Sequence, residues 1–399
     1  MTIKETAIYT VIISFAGLLN GLKIFLDKEA LEIKEVINKK QLKDFVTLPL
    51  KLYKNDSFYA SPLIKDMMEH LSEKNPFFKR AKVKFYIAYK GEKPVGRIAA
   101  LVNYAHLEYH QDNAGFFGVF ECVNDQTVAN ALFDKAKEFL KENNLSIMRG
   151  PMNLSTNEEC GFLYEGFDTP SMIMIPYNPP YYNKLAEAYG MKKAKDLYCF
   201  LADIPDKLPS KIERIAHFAE KQGIRARTVK LKNLTEELYA FMEVYNEAWA
   251  SNWGFIPITK EEIDYMAMKL KPVALPELVI VAEKDGKPVG FFGAIPDFNE
   301  VLRRIKGKLT PLTIIKALYY RRKIQSIRLL LFGVKKEMRH KGVESIMLRE
   351  AFKGAKKYGF KKVEFSWILE DNYDTINLTQ IINARRYKIL RIYETNIMI

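Results

Sequence analysis

IAYKGEKPVG at 87–96 and VAEKDGKPVG at 281–290 agree at six of ten positions, at a constant offset of 194. Each stretch is an apolar run, a turn and a second apolar run, the pattern of a β-hairpin. Downstream, Phe117-Gly118-Val119 matches Phe332-Gly333-Val334 at an offset of 215, and Asn153 matches Asn372 at 219. Three matches in the same order, on the same element types, indicate a tandem duplication. The growing offset places 21 extra residues of the second copy between hairpin and FGV strand, and four more beyond that strand.

In both copies the pattern reads helices, hairpin, strand, amphipathic helix, strand, helix and closing strand. Apolar residues three and four apart mark the amphipathic helices near Thr127–Asn143 and Val343–Tyr358. The closing strands fall near Asp196–Leu201 and Lys388–Tyr393. Strands alternating with helices predict an α/β class with a mixed sheet, built twice. IPDKLP breaks both periodicities around Pro205–Pro209, so the predicted units are 31–204 and 205–399. Residues 1–30 stand apart: Thr6 to Leu22 is 17 residues without a charge, just short of the roughly 20 that span a bilayer. They read as a leader outside the fold or as a membrane anchor. Lys4 and Glu5 at the start, with no A-x-A site after, do not fit a secretory signal.

The 399 residues are 48% hydrophobic, ample for two cores, and the formal charge of +14 favours polyanions: nucleic acid, anionic lipid or a phosphate-rich small molecule. Three cysteines provide neither a disulfide framework nor a CxxC knuckle, which fits a cytoplasmic protein. His106 and His110, around Glu108, are read as a solvated pair near a turn, and no metal is expected. Helix-turn-helix, zinc-finger and RNP signatures are missing, so nucleic acid is not an expected partner; a hydrolase lacks its G-x-S-x-G.

The four-residue gain falls in GVKKEMRHKGVES, where a strand gives way to a helix. Arg339, His340, Lys341 and Gly342 there combine cations, a glycine for close approach and the free amides of a helix start, a combination suited to a pyrophosphate. An ordinary basic turn is the competing reading. The equivalent turn of copy one, Glu121 to Gln126, has two carboxylates and no glycine, and Asp125 reads as an N-cap. Copy one is therefore expected to hold no phosphate.

Strand, Arg339-x-x-Gly342, helix, strand and Asn372 resemble the acyl-CoA-binding core of the GNAT superfamily, with Glu344 departing from the small residue that ends the loop pattern. RGPMNLSTNEECGF at 149–162, MIPYNPPYY at 174–182, NWGF at 252–255, SWILEDN at 366–372 and YKILRIYE at 387–394 extend the likeness to the bacterial ceramide synthase-like family of double GNAT-fold proteins. This resemblance implies an acyl-CoA-dependent N-acyltransferase with its working centre in the C-terminal copy. An amide near Phe332, Gly333 or Val334 would polarise the thioester. Arg339 through Val343 would hold the pyrophosphate, and Asn372 would bond the pantetheine arm or cap a helix.

Asp297 is the first candidate for the base that deprotonates the amine and Glu370 the second; either could instead be a turn or capping carboxylate. The superfamily's tyrosine acid falls on Thr379, leaving Tyr387 and Tyr393 as substitutes. Tyr245, Trp249, Asn252, Trp253 and Phe255 form a candidate substrate wall, or core. RGPMNLSTNEECG of copy one is expected to face the cleft between the copies, and Cys160 within it to pack.

Val301–Arg328 contains nine cations and no acid, with Leu309, Leu312, Ile314, Ile315, Leu318 and Tyr319 interspersed. Segment 303–328 thus reads either as a contact with an anionic membrane, on its cytoplasmic face, or as a solvated cap. The acceptor expected of the resemblance is a long-chain sphingoid-type amine. A small soluble amine, or a catalytically silent acyl-CoA or lipid binder, are the alternatives.

Overall fold

The structure, a computed structural model, describes residues 30–397; the leader or anchor expected of residues 1–30 falls outside them, apart from residue 30. The first copy begins with β1 (Leu31–Glu35), α1 (Lys39–Leu52) and α2 (Ile64–His70). The hairpin β2 (Ala81–Lys90) and β3 (Lys93–Asn103) leads to α3 (Tyr104–His110) and β4 (Ala114–Cys122). Then come α4 (Gln126–Glu142), β5 (Ile147–Gly150), β6 (Phe162–Glu165), α5 (Tyr181–Ala188) and β7 (Lys192–Asp203).

The second copy repeats the plan with α6 (Ser210–Lys221), β8 (Ile224–Thr228), α7 (Leu234–Ala248) and α8 (Lys260–Leu270). Its hairpin is β9 (Val279–Lys284) and β10 (Lys287–Pro296), followed by α9 (Asn299–Ile305) and α10 (Pro311–Arg321). β11 (Ser326–Val334), α11 (Val343–Tyr358), β12 (Lys362–Leu369), α12 (Tyr373–Ile381) and β13 (Arg385–Asn396) complete it. The 21-residue gain is the two-helix arm α9–α10, which stands where copy one has only α3.

The glycine shared by the two hairpins has a packing cause. A Cβ on Gly96 would lie 2.7 Å from Leu132, and one on Gly290 2.8 Å from Val343. In both copies the missing side chain lets the amphipathic helix close on the hairpin. α4 turns Val128, Leu132, Phe133, Ala136, Phe139 and Leu140 inward, and α11 turns Val343, Ile346, Met347, Ala351 and Ala355 inward. Each fully buried Leu or Phe contributes roughly 1.5–3 kcal/mol.

One mixed sheet runs through both copies in the order β1-β2-β3-β4-β5-β13-β7-β12-β11-β10-β9-β8, with β6 beside β13. The predicted closing strands are present, but each is hydrogen-bonded to the other copy. β7 pairs antiparallel with β12, from Lys362↔Asp203 to Leu369↔Leu197. β13 pairs with β5, from Tyr393↔Gly150 to Asn396↔Ile147, and also runs along β7. The 205–209 link joins β7 to α6, yet the sheet does not divide there.

His106 is 2% exposed rather than solvated; its Nε2 is 2.9 Å from Asp112, and Nε2 of His110 is 2.7 Å from the Phe255 carbonyl. The three cysteines are free and buried, Cys160 packing as expected.

Candidate active site

β11 and β12 run parallel from Ser326↔Lys362 to Leu329↔Phe365 and then part. At the parting point β11 carries an extra residue, Leu330, opposite the Gly293–Ala294 step of β10. The opening is a cleft of about 880 Å³. Phe332, Gly333, Val334, Arg339, His340, Gly342 and Asn372 all line it, together with Trp249, Asn252 and Trp253.

Two features give this cleft hydrogen-bond donors and positive charge. Trp249 Nε1 donates to the Phe332 carbonyl at 3.2 Å, which shows that Phe332 turns its carbonyl toward the wall of the cleft. In an extended strand the N–H of the same residue points the same way, so the Phe332 amide faces the cleft too. Beyond β11, eight residues lead to α11, which starts after Gly342 (φ 82°) with no side-chain cap. Its first amides have no intrahelical acceptor and sit at the positive end of the helix dipole. Arg339 is anchored beside them by a 2.9 Å bond to the Ala248 carbonyl. Burial raises the Glu344 carboxyl, the departure from the loop pattern, against the opposing pull of His340 and Arg339.

Copy one has the same elements and no such opening. β4 and β5 part after Phe116↔Arg149, but the chain leaving β5 turns back into the gap. Met152 N–H donates to the Phe117 carbonyl at 2.7 Å and Val119 N–H to Asn153 Oδ1 at 2.8 Å. A Cβ on Gly118 would lie 1.7 Å from the Met152 carbonyl oxygen, so the seal requires that glycine. Asp125 caps α4, accepting from Thr127 and Val128.

Most of the remaining expected residues lie outside this lining, although Thr379 belongs to it. Val343 is fully buried against Gly290, and Lys341 is exposed outside the lining. Tyr245 and Phe255 sit behind the wall: the Tyr245 ring packs on Trp249 and Phe255, and its hydroxyl donates to Asn157. Asp297 lies beyond β10, its Oδ1 accepting from Ile173 and Asn299 amides at 2.8 and 3.1 Å, and burial pushes its carboxyl up to about 7. Its own amide bonds Ser326, six residues from Phe332 along β11, or roughly 20 Å. Glu370 bonds Lys193 Nζ at 2.6 Å and the Asp196 amide at 3.2 Å, fastening β12 to β7. Asn372 caps α12 through Thr375. Thr379 is buried and donates to the Ile376 carbonyl, while the Tyr393 hydroxyl is taken up by Asn183 and Glu187.

Sequence reasoning missed two groups. Beneath the parting point, Arg328 lies against Glu364, which also accepts from the hydroxyls of Ser366 and Tyr387. The signal was a charge inside each of two apolar strands. The second is a pair of carboxylates on the copy-one loop Asn153–Cys160, a loop expected to face the cleft between the copies and docked on the cleft wall by a 2.6 Å bond from Thr156 Oγ1 to the Gly254 carbonyl and by Tyr245 on Asn157. The pair is Glu158 and Glu159. Burial, then Glu262, pushes the Glu158 carboxyl up to about 8, although 32% of the side chain still reaches solvent. Glu159 is also raised by burial, against the opposing pull of Arg328 and an Asn153 hydrogen bond.

The profile of the Acetyltransferase (GNAT) family matches residues 238–381. The chain is 33% identical over 362 residues to the bacterial ceramide synthase of Caulobacter vibrioides (strain NA1000 / CB15N), covering 89% of this chain and 94% of that one. It is 32% identical over 375 residues to protein YghO of Escherichia coli (strain K12), covering 92% and 95%. Among solved structures, a tandem GNAT protein from the clavulanic acid biosynthesis pathway is similar in fold, with a TM-score of 0.56 at 13% identity, over 93% of this chain and 99% of that one. A GCN5-related N-acetyltransferase from Sphaerobacter thermophilus gives 0.53 at 14% identity, over 92% and 96%.

Proposed function

The chain belongs to the bacterial ceramide synthase-like family of tandem GNAT-fold N-acyltransferases, and we propose that it moves an acyl group from acyl-CoA to a long-chain, sphingoid-type lipid amine. The observation that carries this reading is the contrast between the copies: the strands part in both, and only copy two leaves the gap open beside an uncapped helix start.

In this reading the pyrophosphate rests on the first amides of α11 with Arg339 alongside, and the pantetheine arm follows Phe332 to Val334. The Phe332 amide donates to the thioester oxygen as negative charge develops there. The amine arrives largely protonated, its pKa being roughly 10 in water, and a carboxylate must take the proton. We assign this to the copy-one loop, with Glu158 as acceptor and Glu159 beside it to attract the ammonium. Asp297 and Glu370 are already engaged in holding backbone. The amine nitrogen then forms the C–N bond, the C–S bond breaks with its electron pair leaving on sulfur, and the second N–H proton passes to the departing thiolate, which leaves as coenzyme A thiol beside a neutral amide. A thiol has a pKa of roughly 8.5, so the thiolate departs without an obligatory acid, which fits threonine at 379. A lipid acceptor also implies working on the cytoplasmic face of an anionic membrane.

The test is acyl transfer by the full chain with acyl-CoAs of several lengths and sphinganine, read by mass spectrometry of the product amide. Amide formation that disappears in Arg339→Glu is the expected result. Saturable coenzyme A binding with no product from any amine would instead establish a silent binder.

A further inference from the structure

We infer that α10 is a docking helix for the surface of an anionic membrane. The inference supplies the membrane side of the function proposed above, yet it rests on separate observations. α10 belongs to the arm that copy one lacks, and none of its residues is buried. Ala317 and Tyr320 rest on the core of copy two, with Arg304 stacked 4.2 Å from the Tyr320 ring. This fixes which face looks inward.

The outward face follows from helix geometry. At about 100° per residue, Ile315 and Leu318 point away from Ala317 and Tyr320, with Leu312 and Tyr319 on one flank and Ile314 on the other. These five are 44% to 65% exposed, and Leu309 just before the helix is 56% exposed. The same rotation puts Lys316 on one edge of the apolar stripe and Arg321 on the other. Arg322 and Lys323 close the C-terminal end, and Lys306 and Lys308 the N-terminal end. An apolar stripe edged by cations on both sides suits a helix lying in the plane of a bilayer surface. Eleven residues are too few to cross one.

The structure also narrows the basic segment. Seven of its nine cations are exposed, whereas Arg328 is buried under the cleft and Arg303 is half-buried. With no carboxylate between Val301 and Arg328, a second copy seated on this face would set like charges together. Anionic lipid headgroups complement it. The arm is also registered to the first copy: Ile64 N–H donates to the Gly307 carbonyl at 3.4 Å, and a Cβ on Gly307 would meet Ser61 Oγ at 2.4 Å. Docking through α10 would therefore orient both copies against the lipid.

The full chain should float with phosphatidylcholine vesicles containing about 30% phosphatidylglycerol, and far less with phosphatidylcholine alone. Salt should release it, the attraction being screened over roughly 8 Å at physiological ionic strength. Ile315→Ser with Leu318→Ser, and separately Lys316→Glu with Arg321→Glu, should each lower partition at least about tenfold, with coenzyme A binding by calorimetry retained as the check on folding. Wild-type protein that ignores anionic vesicles, that binds neutral ones equally, or that partitions like both variants would overturn the inference. If acyl transfer to every amine fails while vesicle binding depends on α10, the proposed function falls and the docking helix stands.

Discussion

Arg328 and Glu364 are register partners across β11 and β12, with Nε and Oε1 3.5 Å apart, one pair before the strands separate. Glu364 is fully buried and Arg328 is 4% exposed; Nη1 of Arg328 also reaches the Ile173 carbonyl of copy one at 2.6 Å. The pair fastens the apex of the cleft to the other copy. Removing one partner strands a buried charge, so Arg328→Met should cost about 3–5 kcal/mol in urea unfolding. The double replacement Arg328→Met with Glu364→Leu should recover most of that loss. Additive losses would show that the two side chains act independently.

Coenzyme A should bind once per chain. Calorimetry on the full protein is expected to give a stoichiometry of one and to lose its signal in Arg339→Glu, where a carboxylate replaces the cation beside the amides of α11. Asp125→Ala in copy one should leave that stoichiometry at one, because Met152 and Asn153 still fill the gap there; its effect should be a cap loss of about 1 kcal/mol.

The base assignment makes a pH prediction. Burial raises the Glu158 carboxyl to about 8, and only the carboxylate accepts a proton, so kcat should climb as pH rises toward 8 and level beyond it. Glu158→Gln should cut kcat by about 10²–10⁴ and erase that limb. Stability runs the other way: a carboxyl raised on folding is progressively penalised as pH climbs from its unfolded value through 8. The glutamine variant should therefore gain on wild type in melts at high pH, modestly because the side chain is partly exposed. Unchanged kcat with the stability gain intact would leave Glu158 a purely structural group.

Neither copy should fold as an independent unit. Without β13, β5 presents an unpaired inner edge, a template for association. Residues 31–204 expressed alone should be aggregated or molten by near-ultraviolet circular dichroism. The full chain should unfold in one transition, and two separated transitions would contradict this.

Much of the architecture was legible because duplication repeats its own constraints. The shared hairpin glycine, the cap at Asp125 and the longer link before Val343 are local features, and local patterns carry them. The exchange of β7 and β13 was not legible, because an alternating apolar run specifies a strand and one buried face but not which neighbour it takes. The seal in copy one depends on the course of the chain after Gly150, which no periodicity encodes. Asp297 and Glu370 were attractive as carboxylates near strand ends, the same positions where carboxylates bind backbone amides. Glu158 and Glu159, assigned to the proton transfer above, belong to the other copy, some 170 residues upstream of β11.

The exchanged strands also set a timetable for synthesis. β5 leaves the ribosome with Gly150, but the strand that covers it begins at Arg385, some 235 residues later. At about 5–20 residues per second, a nascent chain waits on the order of 10–50 s with that edge open. Such distant pairing is slow to form, so the first copy can be completed only after translation ends. A cell making this protein must shield the growing chain over that interval, and its yield should respond to translation speed and holdase supply more than the stability of the finished sheet would suggest.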